Sequence, residues 1–293
     1  MPFSNDAIIK VKDLVYSYDS VRALDGLTFE IYRGEFVGLV GPNGSGKTTL
    51  LKCLSKLYTP QEGSIQLNGC DLRKLSPLEG ARIYAVVPSE FNMDMNISVT
   101  DTVLLGRYPH LDSLWWENER DEELALEAME KLNVSAFGNR KLGELSSGEK
   151  QRVLIAKALA QEAKVLLIDE PVAHLDLGYQ MEIMGMLKNL ARDGVTIVAA
   201  MHELNLAVKY CDKLIVLDKG RIVACGKPKD IVTQKLIEDV YGVKAILQDV
   251  PEIGLVIIPL SSSNNGDVLD KKNGKKGNTA LSKTPARRRG AEA

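Results

Sequence analysis

The sequence predicts an α/β fold with a mainly parallel, helix-covered core sheet. Three observations carry that expectation. A glycine loop, Gly41-Pro42-Asn43-Gly44-Ser45-Gly46-Lys47-Thr48-Thr49, stands between an apolar run, Phe36-Val37-Gly38-Leu39-Val40, and a helical stretch, Leu50-Leu51-Lys52-Cys53-Leu54. Further apolar strands return at Val165-Leu166-Leu167-Ile168 and Val195-Thr196-Ile197-Val198-Ala199-Ala200. Helical patterns separate them, and strands alternating with helices build a parallel sheet.

Strand, glycine loop and helix in that order form the context of a phosphate-binding P-loop, here spelled Gly-x-x-x-x-Gly-Lys-Thr. The glycines let backbone N–H groups turn inward around a polyphosphate, and the helix that starts there adds its positive dipole end. Lys47 is placed to reach the β- and γ-phosphates, and the Thr48 hydroxyl to bind Mg²⁺.

Before the loop, Ile9 and Val11 alternate with lysines, and Leu27, Phe29 and Ile31 alternate with polar residues, so residues 8–40 read as strands. Ser17-Tyr18-Asp19-Ser20 reads as a turn. After the loop, Gly63-Ser64-Ile65-Gln66-Leu67-Asn68-Gly69 reads as a short strand, and Ile83-Tyr84-Ala85-Val86-Val87 as a buried strand ending at Pro88. Residues from about 92 to 160 read as a helical insertion, since Leu124, Ala125, Ala128, Met129 and Leu132 share one helical face. Leu255-Val256-Ile257-Ile258 is a last strand-like piece. From about residue 261 to 293 the chain turns to Ser, Asn, Gly, Lys and Arg without aromatics, the composition of a basic, disordered tail. Such a tail suits a solvated terminus, or contact with anionic lipid or RNA.

The whole-chain quantities set outer limits. A length of 293 residues suffices for a sizeable core. A net charge of −2 argues against a chain built mainly to hold nucleic acid. No run of about 18 apolar residues exists, so no membrane span is expected, and Met1–Asp6 lacks the marks of a signal peptide. The 4 cysteines, Cys53, Cys70, Cys211 and Cys225, are widely spaced and read as reduced thiols, two of them packed, rather than metal ligands.

Two further stretches carry chemistry. Val165–Ile168 ends in Asp169-Glu170-Pro171, at the carboxyl end of a strand where α/β sheets bind ligands. Paired with the P-loop, Asp169 suits the Mg²⁺ shell and Glu170 is the natural base for an attacking water. Leu145-Ser146-Ser147-Gly148-Glu149-Lys150-Gln151-Arg152-Val153 opens a helix. Two readings stand beside each other: Ser146 and Glu149 form a capping box, or the Ser146 hydroxyl and the exposed N–H groups bind a γ-phosphate from another subunit.

Together these motifs resemble the nucleotide-binding subunit of an ABC transporter over about residues 8 to 260. The resemblance implies a P-loop NTPase fold of the ABC ATPase type: a mainly parallel core sheet, an N-terminal antiparallel β subdomain and a helical subdomain. Leu145–Glu149 resembles the family signature Leu-Ser-Gly-Gly-Gln, with Ser147 and Glu149 as departures and with Ser146 and Gly148 as the positions that meet phosphate. Ala173-His174-Leu175-Asp176 resembles the D-loop, His202 the switch histidine that senses γ-phosphate, and Tyr18 the aromatic that stacks on adenine. Where the family usually carries Gln after the strand at 83–87, this chain has Ser89, whose shorter side chain would need a bridging water, or help from Glu90, to reach Mg²⁺ and the nucleophile.

Gly106-Arg107-Tyr108-Pro109-His110, His202-Glu203-Leu204-Asn205-Leu206-Ala207 and Tyr241-Gly242-Val243 look like importers of iron–siderophore complexes, haem and cobalamin. The resemblance implies a cassette at the cytoplasmic face of the membrane that binds ATP and Mg²⁺. It implies a head-to-tail dimer with a second copy or a related ATPase, transmembrane permease subunits contacted through residues near 89 to 110, and a separate substrate-binding protein. No specific nucleic acid is expected. The rival class is a soluble ABC ATPase acting on nucleic acid or ribosomes, but such chains carry coiled coils, zinc modules or a second cassette, for which this chain has no room.

Overall fold

The computed structural model describes residues 7–89, 95–111 and 119–262. Glu90 and the tail from residue 263 onward lie outside the described residues.

Chain order begins with a long hairpin, β1 (Ala7–Tyr18) and β2 (Val21–Tyr32), whose inward residues Ile9, Val11, Leu27, Phe29 and Ile31 are buried. Tyr18 ends β1 and pairs with Val21, so the expected turn is the two residues between them. Next come β3 (Phe36–Val40), α1 (Lys47–Leu54), β4 (Glu62–Leu67) and the two-residue β5 (Cys70–Asp71). The strands β2-β1-β4-β5 make a four-stranded antiparallel sheet.

A helical stretch with one strand follows: α2 (Pro77–Ala81), β6 (Tyr84–Val87), α3 (Val99–Leu104), α4 (Glu119–Lys131) and α5 (Ser147–Ala160). Ser76, Ser98 and Ser146 cap α2, α3 and α5, each accepting the N–H three residues on. Then come β7 (Val165–Asp169), α6 (Leu177–Arg192), β8 (Thr196–Ala200), α7 (Leu204–Tyr210), β9 (Lys213–Asp218) and β10 (Arg221–Gly226). The chain closes through α8 (Pro228–Ile231), α9 (Gln234–Tyr241) and the hairpin β11 (Val243–Val250) and β12 (Gly254–Ser262).

The second sheet has the order β10-β9-β3-β8-β7-β6, parallel throughout except for β10. Its strands split their side chains between two cores. Val37, Leu39, Val165, Leu167, Val198, Ala200, Ile215 and Leu217 face α1 and the antiparallel sheet. Phe36, Val40, Leu166, Ile168, Ile197, Ala199, Leu214 and Val216 face the helices on the other side. This two-sided burial explains the continuous apolar runs in the sequence. It also holds β3, the strand that feeds the glycine loop, between β9 and β8 near the sheet centre.

One expectation is corrected and another is borne out. The run Ile83–Val87 is not a buried strand: β6 is the sheet edge, and Val86 is 49% exposed. The strand-like piece at 255–258 is one arm of a hairpin that extends to Ser262, and its partner β11 carries no clear alternation. The hairpin is pinned to α7 by Asn205, whose Nδ2 donates to the Ile257 carbonyl at 3.0 Å while its Oδ1 accepts from the Ile257 N–H at 2.8 Å. Cys53 and Cys211 are buried, Cys70 and Cys225 exposed. Among the described residues no helix is long and apolar enough to cross a membrane.

Candidate nucleotide site

The loop between β3 and α1 is held in shape by its own lysine. Lys47 Nζ donates to the carbonyls of Gly41 at 2.8 Å and Pro42 at 3.0 Å. Two glycines are obligatory here. Gly41 has φ 148°, and a Cβ on it would lie 2.1 Å from the Leu217 carbonyl oxygen; Gly46 has φ 107° and faces the Ala23 carbonyl at 2.7 Å. Burial pushes the Lys47 ammonium below its usual pKa, opposed by the charges of Glu170 and Asp169. Among the described residues, the buried Ser45 Oγ has no hydrogen-bond partner.

Facing the loop are the ends of β7 and β8. Thr48 Oγ1 donates to Asp169 Oδ1 at 3.3 Å. Burial raises the Asp169 pKa, and the neighbouring Glu170 charge raises it further. Two hard oxygens from Thr48 and Asp169, with a carboxylate that gains by meeting positive charge, fit a small divalent cation whose other ligands are phosphate and water. Glu170 stands in the left-handed region at φ 51°, a conformation that costs about 1 kcal/mol or more for a non-glycine residue. The N–H of Glu170 donates to the Ala200 carbonyl at 3.0 Å, which fixes the turn. Its side chain accepts from His202 Nε2 at 2.6 Å.

Lys47, Thr48, Glu170 and His202 border one open cleft of about 470 Å³, running from Tyr18 and Arg22 along Asn43–Thr49 to Glu170 and His202. Tyr18 lies at its mouth, 41% exposed, with its hydroxyl 3.3 Å from Thr49 Oγ1. Tyr16 and Tyr58 stack on each other at 5.0 Å, and both meet the Tyr18 ring edge-on. Arg22, Val21 and Ala23 were not singled out in the sequence; the hairpin register opposite Tyr18 and Ser17 brings them to the cleft, and nothing local marks them.

Six expected site residues do not line this cleft; of these, Gly41 and Pro42 bond Lys47 and Asp169 bonds Thr48, both of which do line it. Ser89 is exposed just beyond β6. Ser146 and Gly148 sit at the start of α5, where Ser146 Oγ accepts from the Glu149 N–H at 3.3 Å and Glu149 Oε2 accepts from the Ser146 N–H at 2.8 Å. The capping box is therefore formed, and the Ser146 N–H bond holds the Glu149 carboxyl below its ordinary pKa. Gly148 packs against the Tyr179 ring of α6; a Cβ there would lie 2.6 Å from Tyr179 Cδ1. Asp176 caps α6, accepting from the Tyr179 N–H at 3.0 Å. Among the described residues no group of three His, Cys, Asp or Glu side chains is placed to hold a metal.

Comparison with known proteins agrees with this geometry. The pattern of the ABC transporter family matches residues 24–173. The ferric enterobactin transport ATP-binding protein FepC of Escherichia coli K12 is 37% identical over 256 residues, covering 87% of this chain and 94% of that protein. An inward-facing structure of a metal-chelate type ABC transporter superposes with a TM-score of 0.78 at 28% identity, covering 89% of this chain and 100% of that one. A dimeric bacterial ABC transporter cassette superposes with a TM-score of 0.68 at 29% identity, over 75% of this chain and 98% of that one.

Proposed function

Since the chain belongs to the ABC transporter family as an ATP-hydrolysing cassette, we propose that it powers import of an iron–siderophore complex, haem or cobalamin. The observation that carries the ATPase part is the single cleft in which the P-loop faces Glu170 and His202. The cargo class rests on the likeness to the enterobactin and metal-chelate systems and on the stretches Gly106–His110 and His202–Ala207.

ATP enters with adenine on Tyr18 and its phosphates on the N–H groups of Gly41–Thr49, beside Lys47. Thr48 and Asp169 would hold Mg²⁺, which would supply neutralisation of the phosphate charge. The Glu170 carboxylate orients the water for in-line attack and takes its proton as the bond from the γ-phosphorus to the ADP oxygen breaks; His202, bonded to Glu170 Oε1 at 2.6 Å, keeps the carboxylate aimed. Among the described residues, no group from α5 of the same chain lines the cleft to cover its open side. Ser146 and Gly148 supply that cover from a second copy, so each ATP is enclosed between two cassettes. Hydrolysis removes the γ-phosphate that bridges them, and the pair opens.

That motion passes to transmembrane permease subunits on the cytoplasmic face, fed by a separate substrate-binding protein. The cassette in this reading runs through the end of β12 at Ser262, two residues past the expected boundary at 260, and the basic tail is appended beyond it. Affinity purification from detergent-solubilised membranes tests the assignment. The expected result is co-purification of a permease whose deletion abolishes uptake of one iron chelate, haem or cobalamin. Recovery of ribosomal or nucleic-acid partners alone would overturn it.

A further inference from the structure

The segment Gly106–His110 touches no part of the nucleotide cleft, yet its bonds converge on one place. It forms a 3₁₀ helix, Leu105–His110, laid across the C-terminal end of α5. Gly106 approaches so closely that a Cβ would lie 2.2 Å from the Lys157 carbonyl oxygen. Arg107 is 4% exposed. Its NH1 donates to the Ala160 carbonyl at 2.6 Å and to Glu162 Oε2 at 2.9 Å, and its Nε to Asp121 Oδ1 at 2.9 Å. His110 Nε2 donates to the Gln161 carbonyl at 2.9 Å, and Gln161 Nε2 donates back to the Tyr84 carbonyl at 2.9 Å. Arg82 Nε donates to the Pro109 carbonyl at 3.0 Å.

One guanidinium thus ties the 3₁₀ helix, the first turn of α4 and the last carbonyl of α5. Buried ion pairs are seldom the cheapest way to hold a fold together; well-packed apolar side chains do as well or better. What a forked guanidinium adds is direction. At the end of α5, beyond the packing of its buried face, the Ala160 carbonyl is held by the bond from Arg107 NH1.

Direction matters because of what the other end of α5 carries. The helix has 14 residues, Ser147–Ala160, and so is about 21 Å long. A tilt of about 5° at the clamped end moves Ser146 by roughly 2 Å, more than a hydrogen bond tolerates. We propose that Arg107 is a positioning residue for the nucleotide site of a second copy: it fixes the C-terminal end of α5, and through that rigid helix the placement of Ser146 and Gly148. The inference rests on the two-copy reading above. It assigns Arg107 no contact with nucleotide.

The test uses the full chain with Glu170→Gln, in which ATP-driven pairing accumulates. Into it go Arg107→Lys, which keeps the charge and loses the fork, and the double variant Arg107→Met with Asp121→Leu, which keeps packing without a buried unpaired charge. Three quantities are read: the Kd for a fluorescent ATP analogue, the melting temperature without nucleotide, and the ATP concentration giving half-dimerisation by light scattering. The expected result is an unchanged analogue Kd and a retained melting temperature in the double variant, with half-dimerisation displaced about tenfold upward in both. An unchanged half-dimerisation point overturns the inference. So does a shift that merely follows losses of nucleotide affinity and melting temperature. If the Glu170→Gln parent itself stays monomeric with ATP, the two-copy reading falls first, and that outcome is distinct from the other two.

Discussion

His202 Nε2 donates to Glu170 Oε1 across 2.6 Å, joining the turns after β8 and β7 on the rim of the P-loop cleft. A base whose orientation depends on a histidine has two ways to fail. Glu170→Gln should keep ATP binding, lower turnover by about a hundredfold or more, and trap an ATP-bound dimer on gel filtration. His202→Ala should leave Glu170 in place but free to rotate, lowering kcat with little change in Kd. Near-normal hydrolysis by Glu170→Gln would remove it from the role of base. Lys47→Ala should instead weaken nucleotide binding itself, since Lys47 also holds the Gly41 and Pro42 carbonyls that shape the loop.

Ser89 is exposed at the end of the sheet-edge strand β6 and does not line the cleft. A glutamine there reaches two bonds further and would hold the nucleophile without a bridging water. Ser89→Gln should therefore raise kcat by roughly five- to thirtyfold, the equivalent of about one to two kcal/mol of positioning, with Kd nearly unchanged. Steady-state hydrolysis and equilibrium titration, with and without the permease, measure both. An unchanged kcat, with Glu90→Ala abolishing activity, would transfer the role to Glu90.

How much of this was legible in the sequence varies with how local the cause is. The glycine loop announces itself because glycines at 41 and 46 meet carbonyls that no side chain could approach. Asp169 and Glu170 are readable because a two-sided buried strand must end where the ligand sits. The edge position of β6 is not readable: an apolar run states that a strand exists, and says nothing of whether a neighbour covers it. Strand β11 is half-exposed and set by its register with β12, so its own pattern is weak. Arg22 reaches the cleft only because the β1–β2 hairpin folds back beside Tyr18. The departure at Glu149 has a local explanation: its carboxylate completes the capping box on Ser146 and adds a negative charge at a helix start.

The buried thiols give a pH signature. Burial pushes Cys53 up to about 12 from an ordinary 9.0, and raises Cys211 as well. Tyr241 is likewise pushed up to about 12 from 10.0. The folded state binds these protons more tightly than the unfolded chain does. Their contribution is complete below about pH 9 and is lost as pH rises toward 12. The melting temperature should fall steeply over that window, and less steeply in Cys53→Ala. At neutral pH an aromatic disulfide reagent should modify Cys70 quickly, Cys225 more slowly because burial raises its thiol pKa, and the other two only on unfolding. Fast modification of all four would contradict the burial of Cys53 and Cys211.

Removing residues 263–293, beyond the end of β12 at Ser262, should leave the melting temperature and basal hydrolysis unchanged. A large drop in melting temperature would mean that the tail packs on the cassette.

The account turns on each ATP being shared by two chains, and mixing two inactive variants tests that most directly. Lys47→Ala disables the P-loop and leaves Ser146 and Gly148 intact. Gly148→Asp disables the α5 end by adding charge where a Cβ already meets Tyr179, and leaves the P-loop intact. Each alone should hydrolyse ATP at background. In an equal mixture, half of the pairs are mixed, and each mixed pair holds one complete site, so single-turnover hydrolysis should return to about a quarter of the wild-type amplitude at random pairing. Recovery of that size is the result predicted; a mixture as inactive as its two components would contradict a site built from two chains.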